Sequence, residues 1–225
     1  MKIQHAGGIA AIVCTSTYLF GFVFFFGLID APSDSSDMAR LRALISQRDI
    51  FFIGYAVIGI VFSLSLLLLN QSLLAIFEKA SPITARYNSA IGYIWAAFVL
   101  ASTFVFLVSL PLINNYANTS EEHAVIVLKS IDIVVDALGG GIELLGAIWV
   151  MLISFIGIKN SIYPKGTHLI GIVVGVAGIL TLFSGLSFLS AHSLFEASTA
   201  IFGLGQIVWF ILIAVHMLRH DDRAA

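Results

Sequence analysis

Six uncharged, apolar stretches dominate this sequence, and each is about as long as a bilayer crossing. A helix needs about 20 apolar residues to cross the hydrocarbon core of a membrane, which is about 30 Å thick. Because the stretches are apolar throughout and do not follow the spacing of an amphipathic helix, every face of each helix needs apolar surroundings. The predicted spans lie near residues 7–29, 50–69, 90–113, 139–158, 169–190 and 197–218.

The composition agrees with a chain embedded in lipid. Hydrophobic residues make up 59% of the sequence and charged residues 11%, whereas soluble domains average roughly half and a quarter. A soluble fold of 225 residues could not bury so much apolar surface. We therefore predict an all-α, polytopic membrane helix bundle, a single integral membrane domain over residues 1–225 with the lipid bilayer as its partner.

Two shorter segments have the pattern of amphipathic helices. In Met38–Arg48, apolar residues at helical spacing face away from the charged ones, and Glu121–Leu138 repeats this pattern over a greater length. We expect both segments to form helices that lie at the membrane interface.

The distribution of Lys and Arg predicts an orientation, because cytoplasmic loops carry the excess of these residues. With the N-terminus inside, the inner side holds Lys2, Lys79, Arg86, Lys159, Lys165, Arg219 and Arg223. The outer side holds Arg40, Arg42, Arg48 and Lys129. The prediction is a multi-pass membrane protein with both termini in the cytoplasm.

Glu143 is the acidic residue placed within a predicted span. It lies 16 residues from Lys159 at the inner surface, which is about 24 Å along a helix and hence near the outer edge of the core. It follows Gly139–Gly141, a predicted helix break, so that the helix dipole favours a carboxylate there. Two interpretations stay open: a structural carboxylate at a helix start, or an ion-coupling residue that binds a proton or cation.

A second set of acidic residues is predicted on the outer side. Asp132 and Asp136 lie one helical turn apart, and Asp30 and Asp34 lie in the first outer loop. Such carboxylates are candidate ligands for a divalent metal, and a small membrane enzyme is the alternative function that they suggest. Because paired carboxylates are also common on any hydrated helix face, we favour a non-enzymatic role in small-solute or ion transport, or in support of another membrane complex.

Small residues line one face of the fifth predicted span, where Gly171, Gly175, Gly178 and Gly185 predict close helix packing. The packing is expected within the chain, with a homo-oligomer or a partner membrane protein left open. Histidines at the predicted inner edge are ordinary, so no cofactor is predicted. The sequence has no stripe of basic residues, so no nucleic-acid partner is predicted.

Three segments carry a resemblance to a known family: GLIDAP at Gly27–Pro32, NSAIGYIWAAFVLAS at Asn88–Ser102 and IYPKGTHLIGIVVGVAGIL at Ile162–Leu180. On these motifs the chain resembles a bacterial family of six-span integral membrane proteins catalogued only as a domain of unknown function. The resemblance implies a six-helix fold in a bacterial inner membrane. It implies no activity and no functional residue.

Overall fold

The structure, a computed structural model, describes residues 3–30, 32, 34–140, 143–186 and 193–221, and this part of the chain contains helices and no strands. The helices are α1 (Ile3–Val23), α2 (Asp37–Ser46), α3 (Arg48–Tyr55), α4 (Phe62–Phe77), α5 (Pro82–Ala117), α6 (Glu121–Val135), α7 (Leu144–Asn160), α8 (Lys165–Thr181) and α9 (Ser193–Asp221). Segments Phe24–Leu28, Ala56–Val61 and Asp136–Gly140 are π-helical, and Leu182–Gly185 is a 3-10 turn.

Six helical stretches of the described chain are long and apolar enough to cross a membrane. They are Ile3–Leu28, Arg48–Phe77, Pro82–Ala117, Glu121–Asn160, Lys165–Gly185 and Ser193–Arg219. The predicted all-α, polytopic fold is therefore confirmed, and the chain is a multi-pass membrane protein. Residues 187–190 of the fifth predicted span and Gly141 of the predicted helix break lie outside the described residues.

The spanning helices form a closed ring in which each helix packs against the spans before and after it in the sequence. α1 packs against α4 and α9, α5 packs against α4 and α7, and α8 packs against α7 and α9. The short turns after α4 and α7 reverse the chain. The beginnings of α1, α5 and α8 therefore lie at one end of the ring, which we call the inner end.

Aromatic side chains around the fully buried Trp149 fill the centre of the ring. Its ring centroid lies 5.7 Å from that of Trp95 on α5 and 5.5 Å from that of Trp209 on α9. The Trp149 Nε1–H donates a 2.8 Å hydrogen bond to Asn70 Oδ1, and Asn70 Nδ2 donates to the Ser89 carbonyl at 3.0 Å. This buried bridge joins α4, α5 and α7 in the middle of the bundle.

A second apolar cluster lies at the other end of the molecule. α5 has 36 residues and is therefore about 54 Å long, so it extends beyond a hydrocarbon core of about 30 Å. Its second half packs with α2 and α6, and we call this unit the cap. The buried apolar residues of the cap are Leu41, Leu44, Phe106, Leu110, Ile113, Ala124, Leu128 and Val135.

Both predicted amphipathic segments form helices, α2 and α6. The apolar side of α2 lies against α5 and α6, because Leu41 and Leu44 are buried in the cap. Ion pairs fasten the polar side, with Arg40 Nη2 3.0 Å from Asp132 Oδ2 and Arg42 Nη2 2.8 Å from Glu121 Oε2. The apolar stripe of α2 is thus covered by protein.

The predicted glycine face of α8 is packed within the chain over most of its length. A Cβ on Gly171 would lie 2.0 Å from Ser154 Oγ of α7, and one on Gly178 would lie 2.5 Å from Phe202 Cδ2 of α9. Gly185 differs, because it ends the 3-10 turn and has no heavy atom of a described residue within 4 Å of its Cβ position. The close approach of α7, α8 and α9 therefore depends on glycines within α8.

Gly175 provides the sharpest test of this packing. A Cβ there would lie 2.6 Å from Met151 Cβ and 2.9 Å from the Ala147 carbonyl oxygen, which is backbone and cannot rotate away. We expect Gly175→Val to lower the free energy of unfolding by about 1–3 kcal/mol through overpacking. The matched control is Gly203→Val in α9, where no described heavy atom lies within 4 Å. Thermal unfolding in detergent measures both, and equal melting temperatures would contradict the packing.

Candidate functional site

A cavity of about 200 Å³ lies between four spans, on the side of the central tryptophans away from the inner end. Its lining comes from α1, from the π segment before α4, from α4 and α5, and from the residues that precede α7. The lining residues are Thr17, Tyr18, Gly21, Ile58, Phe62, Trp95, Val99, Gly139 and Glu143. The walls are thus mainly apolar and aromatic, with one carboxylate among them.

Glu143 directly precedes α7 at its N-cap position, but its side chain makes no capping hydrogen bond. The hydrogen bonds of Glu143 are made by its backbone. The N–H donates to Thr181 Oγ1 at 3.4 Å, and the carbonyl accepts from the Ala147 N–H at 2.9 Å. The carboxylate is half-buried and makes no ion pair with any residue that the structure describes. The position at the start of α7 is the one that the structural interpretation of Glu143 predicted, although no side-chain hydrogen bond accompanies it.

Three aromatic rings form a continuous wall of the cavity. The Tyr18 and Phe62 centroids are 5.5 Å apart at an interplanar angle of 73°, and those of Phe62 and Trp95 are 5.4 Å apart at 69°. Both pairs have the edge-to-face arrangement that aromatic quadrupoles favour. The three rings are thus in contact in series along the cavity.

Irregular helical turns surround the cavity. Ile58 belongs to the π segment Ala56–Val61 and Gly139 to the π segment Asp136–Gly140, while Phe24–Leu28 follows closely after Gly21. A π-helical turn is wider than an α-helical turn, and such turns occur frequently at functional sites. The widened turns make room among helices that are otherwise tightly packed.

Two of the four outer candidate ligands, Asp132 and Asp34, have side-chain contacts of their own. Asp132 pairs with Arg40, and the Asp30 N–H donates to Gln47 Oε1 at 2.8 Å. Asp34 Oδ1 accepts the Ser36 N–H at 2.7 Å, and hydrogen bonds from Ser36 lower the pKa of Asp34. Asp136 is exposed in its π segment. No group of three His, Cys, Asp or Glu that could hold a metal occurs within the described residues, so the divalent-metal site stays a prediction.

Buried polar side chains without a hydrogen-bond partner occur close to the central tryptophans. Asn88, Ser154 and Gln206, from α5, α7 and α9, are almost fully buried, and none has a hydrogen-bond partner among the described residues. The Trp209 Nε1–H is also without one. Because buried polar groups are normally satisfied, internal water is expected beside them.

Tyr163 closes the inner end of the ring. It lies in the turn between α7 and α8, where both Ser161 and Tyr163 have left-handed backbone angles, with φ of 54° and 65°. Its ring stacks on His216 with centroids 5.3 Å apart, and burial raises the pKa of Tyr163 to about 12. The His216 Nε2 in turn lies 2.9 Å from Thr167 Oγ1, so the histidine is held within the bundle.

Sequence reasoning identified Glu143 but not the residues that face it. Tyr18, Phe62 and Trp95 come from three different helices, and each is an ordinary aromatic residue within an apolar stretch. Because they lie on different helices, no periodic pattern in the sequence groups them together. The one signal in the sequence is the glycine run before Glu143, which marks the place where the helical path widens.

Thiol labelling tests whether Glu143 lines an open cavity. We expect Glu143→Cys to react with a small, water-soluble methanethiosulfonate reagent at least about 10-fold faster than Ala147→Cys, because thiol reactivity follows exposure. Ala147 lies one turn deeper on α7 and is 0% exposed. The native Cys14 is likewise 0% exposed, which keeps the background low. Equal labelling rates at the two positions would contradict the cavity.

Comparisons of the chain with protein-family models, with curated proteins and with solved structures find no match. The resemblance carried by Gly27–Pro32, Asn88–Ser102 and Ile162–Leu180 therefore stays a prediction.

Proposed function

We propose that this protein moves a small cation across the membrane and that Glu143, in the cavity beside Trp95, binds the cation. One observation carries the proposal. The Glu143 carboxylate makes no capping hydrogen bond to α7 and no ion pair with a Lys, Arg or His side chain of the described residues. A charge in a low-dielectric site is costly unless it is compensated. A proton or a cationic solute supplies the missing compensation.

The arrangement of the bundle supports transport because polar groups occur on both sides of the central tryptophans. Glu143 and Tyr18 lie on the cavity side, and Asn88 and Ser154 lie on the inner side. Trp95 separates the two regions, since it lines the cavity and packs on Trp149. Such an arrangement has the parts of a gated pathway: an open cavity, an aromatic barrier and buried polar groups beyond it.

Two other roles have less support. The enzyme alternative needs free carboxylates on the outer side, whereas Asp132 pairs with Arg40 and Asp34 accepts hydrogen bonds from Ser36. Support of another membrane complex would not require a carboxylate in an internal cavity. A homo-oligomer or a complex with a partner membrane protein stays a proposal. Gly171, Gly175 and Gly178 of α8 do not provide its interface, because they pack against other helices of the same chain.

The inner membrane of a bacterium is the membrane that we propose, with both termini in the cytoplasm. The resemblance of Gly27–Pro32, Asn88–Ser102 and Ile162–Leu180 to a bacterial family supports the membrane, and the excess of Lys and Arg in the predicted inner segments supports the orientation. The cap then faces the outside, and a cation approaching the Glu143 cavity does so from that side.

Ion flux tests the proposed function directly. Purified protein in proteoliposomes is exposed to concentration jumps of H⁺, Na⁺, K⁺ and choline, and charge movement is recorded. We expect Glu143→Gln to reduce the current by at least about 10-fold, because the amide keeps the shape of the side chain and removes the charge. The control is Glu196→Gln, at an exposed position in the first turn of α9. If no current depends on Glu143, transport by this route is excluded.

Reporter fusions test the orientation. We expect a fluorescent protein that folds only in the cytoplasm to be bright when it is fused to either terminus. A periplasm-active phosphatase should be active when it is inserted after Thr119, in the turn between α5 and α6. The opposite pattern of activities would reverse the orientation and place the cap in the cytoplasm.

A further inference from the structure

The chemical class of the cation follows from the walls of the Glu143 cavity, and this inference rests on the proposed function. The cavity has about 200 Å³ of space. The share of one water molecule in liquid water is about 30 Å³. The space is thus much larger than a bare proton or a dehydrated metal ion requires, and it matches a small organic molecule.

The oxygen atoms of the lining do not suit a metal ion. Side-chain oxygens come from Glu143, Tyr18 and Thr17, and the Thr17 hydroxyl already donates to the Cys14 carbonyl at 2.8 Å. Mg²⁺ and Ca²⁺ bind six or more oxygen ligands, so water and backbone carbonyls would have to supply most of them here. Residues 141 and 142, which the structure does not describe, are glycine and isoleucine and add no side-chain oxygen.

Aromatic faces provide the second half of the recognition. The rings of Tyr18, Phe62 and Trp95 form a contiguous wall, and the face of an aromatic ring attracts a cation through its quadrupole. Quaternary ammonium groups, which cannot donate hydrogen bonds, are bound in proteins by such aromatic surfaces. The Glu143 carboxylate supplies the opposite charge at the same cavity.

We propose that the cavity binds a small organic ammonium ion, with its charged nitrogen between the Glu143 carboxylate and the aromatic wall of Tyr18, Phe62 and Trp95. The methyl or methylene groups of the ion fill the apolar remainder of the cavity, which Ile58 and Val99 line. Carboxylate and rings act together: the carboxylate selects positive charge, and the rings select a poorly hydrated cation over Na⁺.

Calorimetric titration of the purified full-length protein in detergent tests the ligand class. The probes are choline, its uncharged carbon isostere 3,3-dimethyl-1-butanol, and NaCl at the same concentration. We expect choline to bind and the isostere and Na⁺ to bind at least about 10-fold more weakly, since neither satisfies both the carboxylate and the rings. Equal affinity for choline and its isostere would overturn the inference.

Substitutions locate the binding in the cavity. We expect Glu143→Gln to weaken choline binding by about 10-fold or more, and Phe62→Leu to weaken it between about 2-fold and 30-fold. The matched control is Phe98→Leu, which removes a ring on α5 that is 41% exposed and does not line the cavity. If Phe98→Leu weakens binding as much as Phe62→Leu, the aromatic wall is not the site.

A second pair of variants keeps the test decisive if Phe62→Leu does not fold. Tyr18 is half-buried and tolerates change more readily, so Tyr18→Phe retains the ring and Tyr18→Leu removes it. We expect choline to bind the phenylalanine variant more tightly than the leucine variant. Equal affinities would overturn the role of the rings.

The two proposals fail separately. Glu143-dependent currents of H⁺ or Na⁺ in a protein that does not bind choline would overturn the ammonium site and leave cation transport standing. Choline binding that depends on Glu143 and Phe62, in a protein that passes no current, would uphold the site and overturn transport.

Discussion

The hydrogen bonds of Asn70 are the interaction on which the rest of this membrane bundle depends. One side chain joins three helices, because its amide donates to Ser89 of α5 and its carbonyl oxygen accepts from Trp149 of α7. All three residues are almost fully buried, where an unsatisfied polar group is costly. The bridge therefore fixes the rotation of α4, α5 and α7, and it holds Trp149 at the centre of the ring.

The position of Trp149 in turn organises the two halves of the bundle. Trp95 of α5 and Trp209 of α9 both pack on it, and the cavity at Glu143 lies on the far side of Trp95. Around Trp149, α7, α8 and α9 approach closely at glycines of α8. At the outer end, ion pairs and apolar contacts attach α2 to α6 and form the cap.

Much of this fold could be predicted from the sequence, because lipid imposes a strong constraint on each segment by itself. Six apolar stretches, two amphipathic helices and the close packing of Gly171 and Gly178 are all local patterns. The position of Glu143 near a widened helical path could also be predicted from its distance to Lys159 and from the preceding glycines. These features need no knowledge of which helices are neighbours.

The walls of the site could not be predicted, since they depend on the order of the helices in the ring. Tyr18, Phe62 and Trp95 look like any other aromatic residues in a span until α1, α4 and α5 are placed side by side. The ion-pair partners of the outer acidic residues could not be predicted from the sequence either. Arg40 and Asp132 are 92 residues apart in the sequence, and only the docking of α2 on α6 brings them together.

The three π-helical turns have a consequence for how this molecule changes shape. A π turn can rewind into regular α-helix by passing its extra residue along the chain, which rotates the side chains on one side of the turn by about 100° relative to those on the other. In the described part of the chain such turns occur at Phe24–Leu28, Ala56–Val61 and Asp136–Gly140, all near the cavity. Because α4 is bonded to its neighbours through Asn70, rewinding at Ala56–Val61 would rotate α3 instead and turn Ile58 out of the lining. The outer part of this span can thus turn about its own axis while the inner part stays bonded to the bundle.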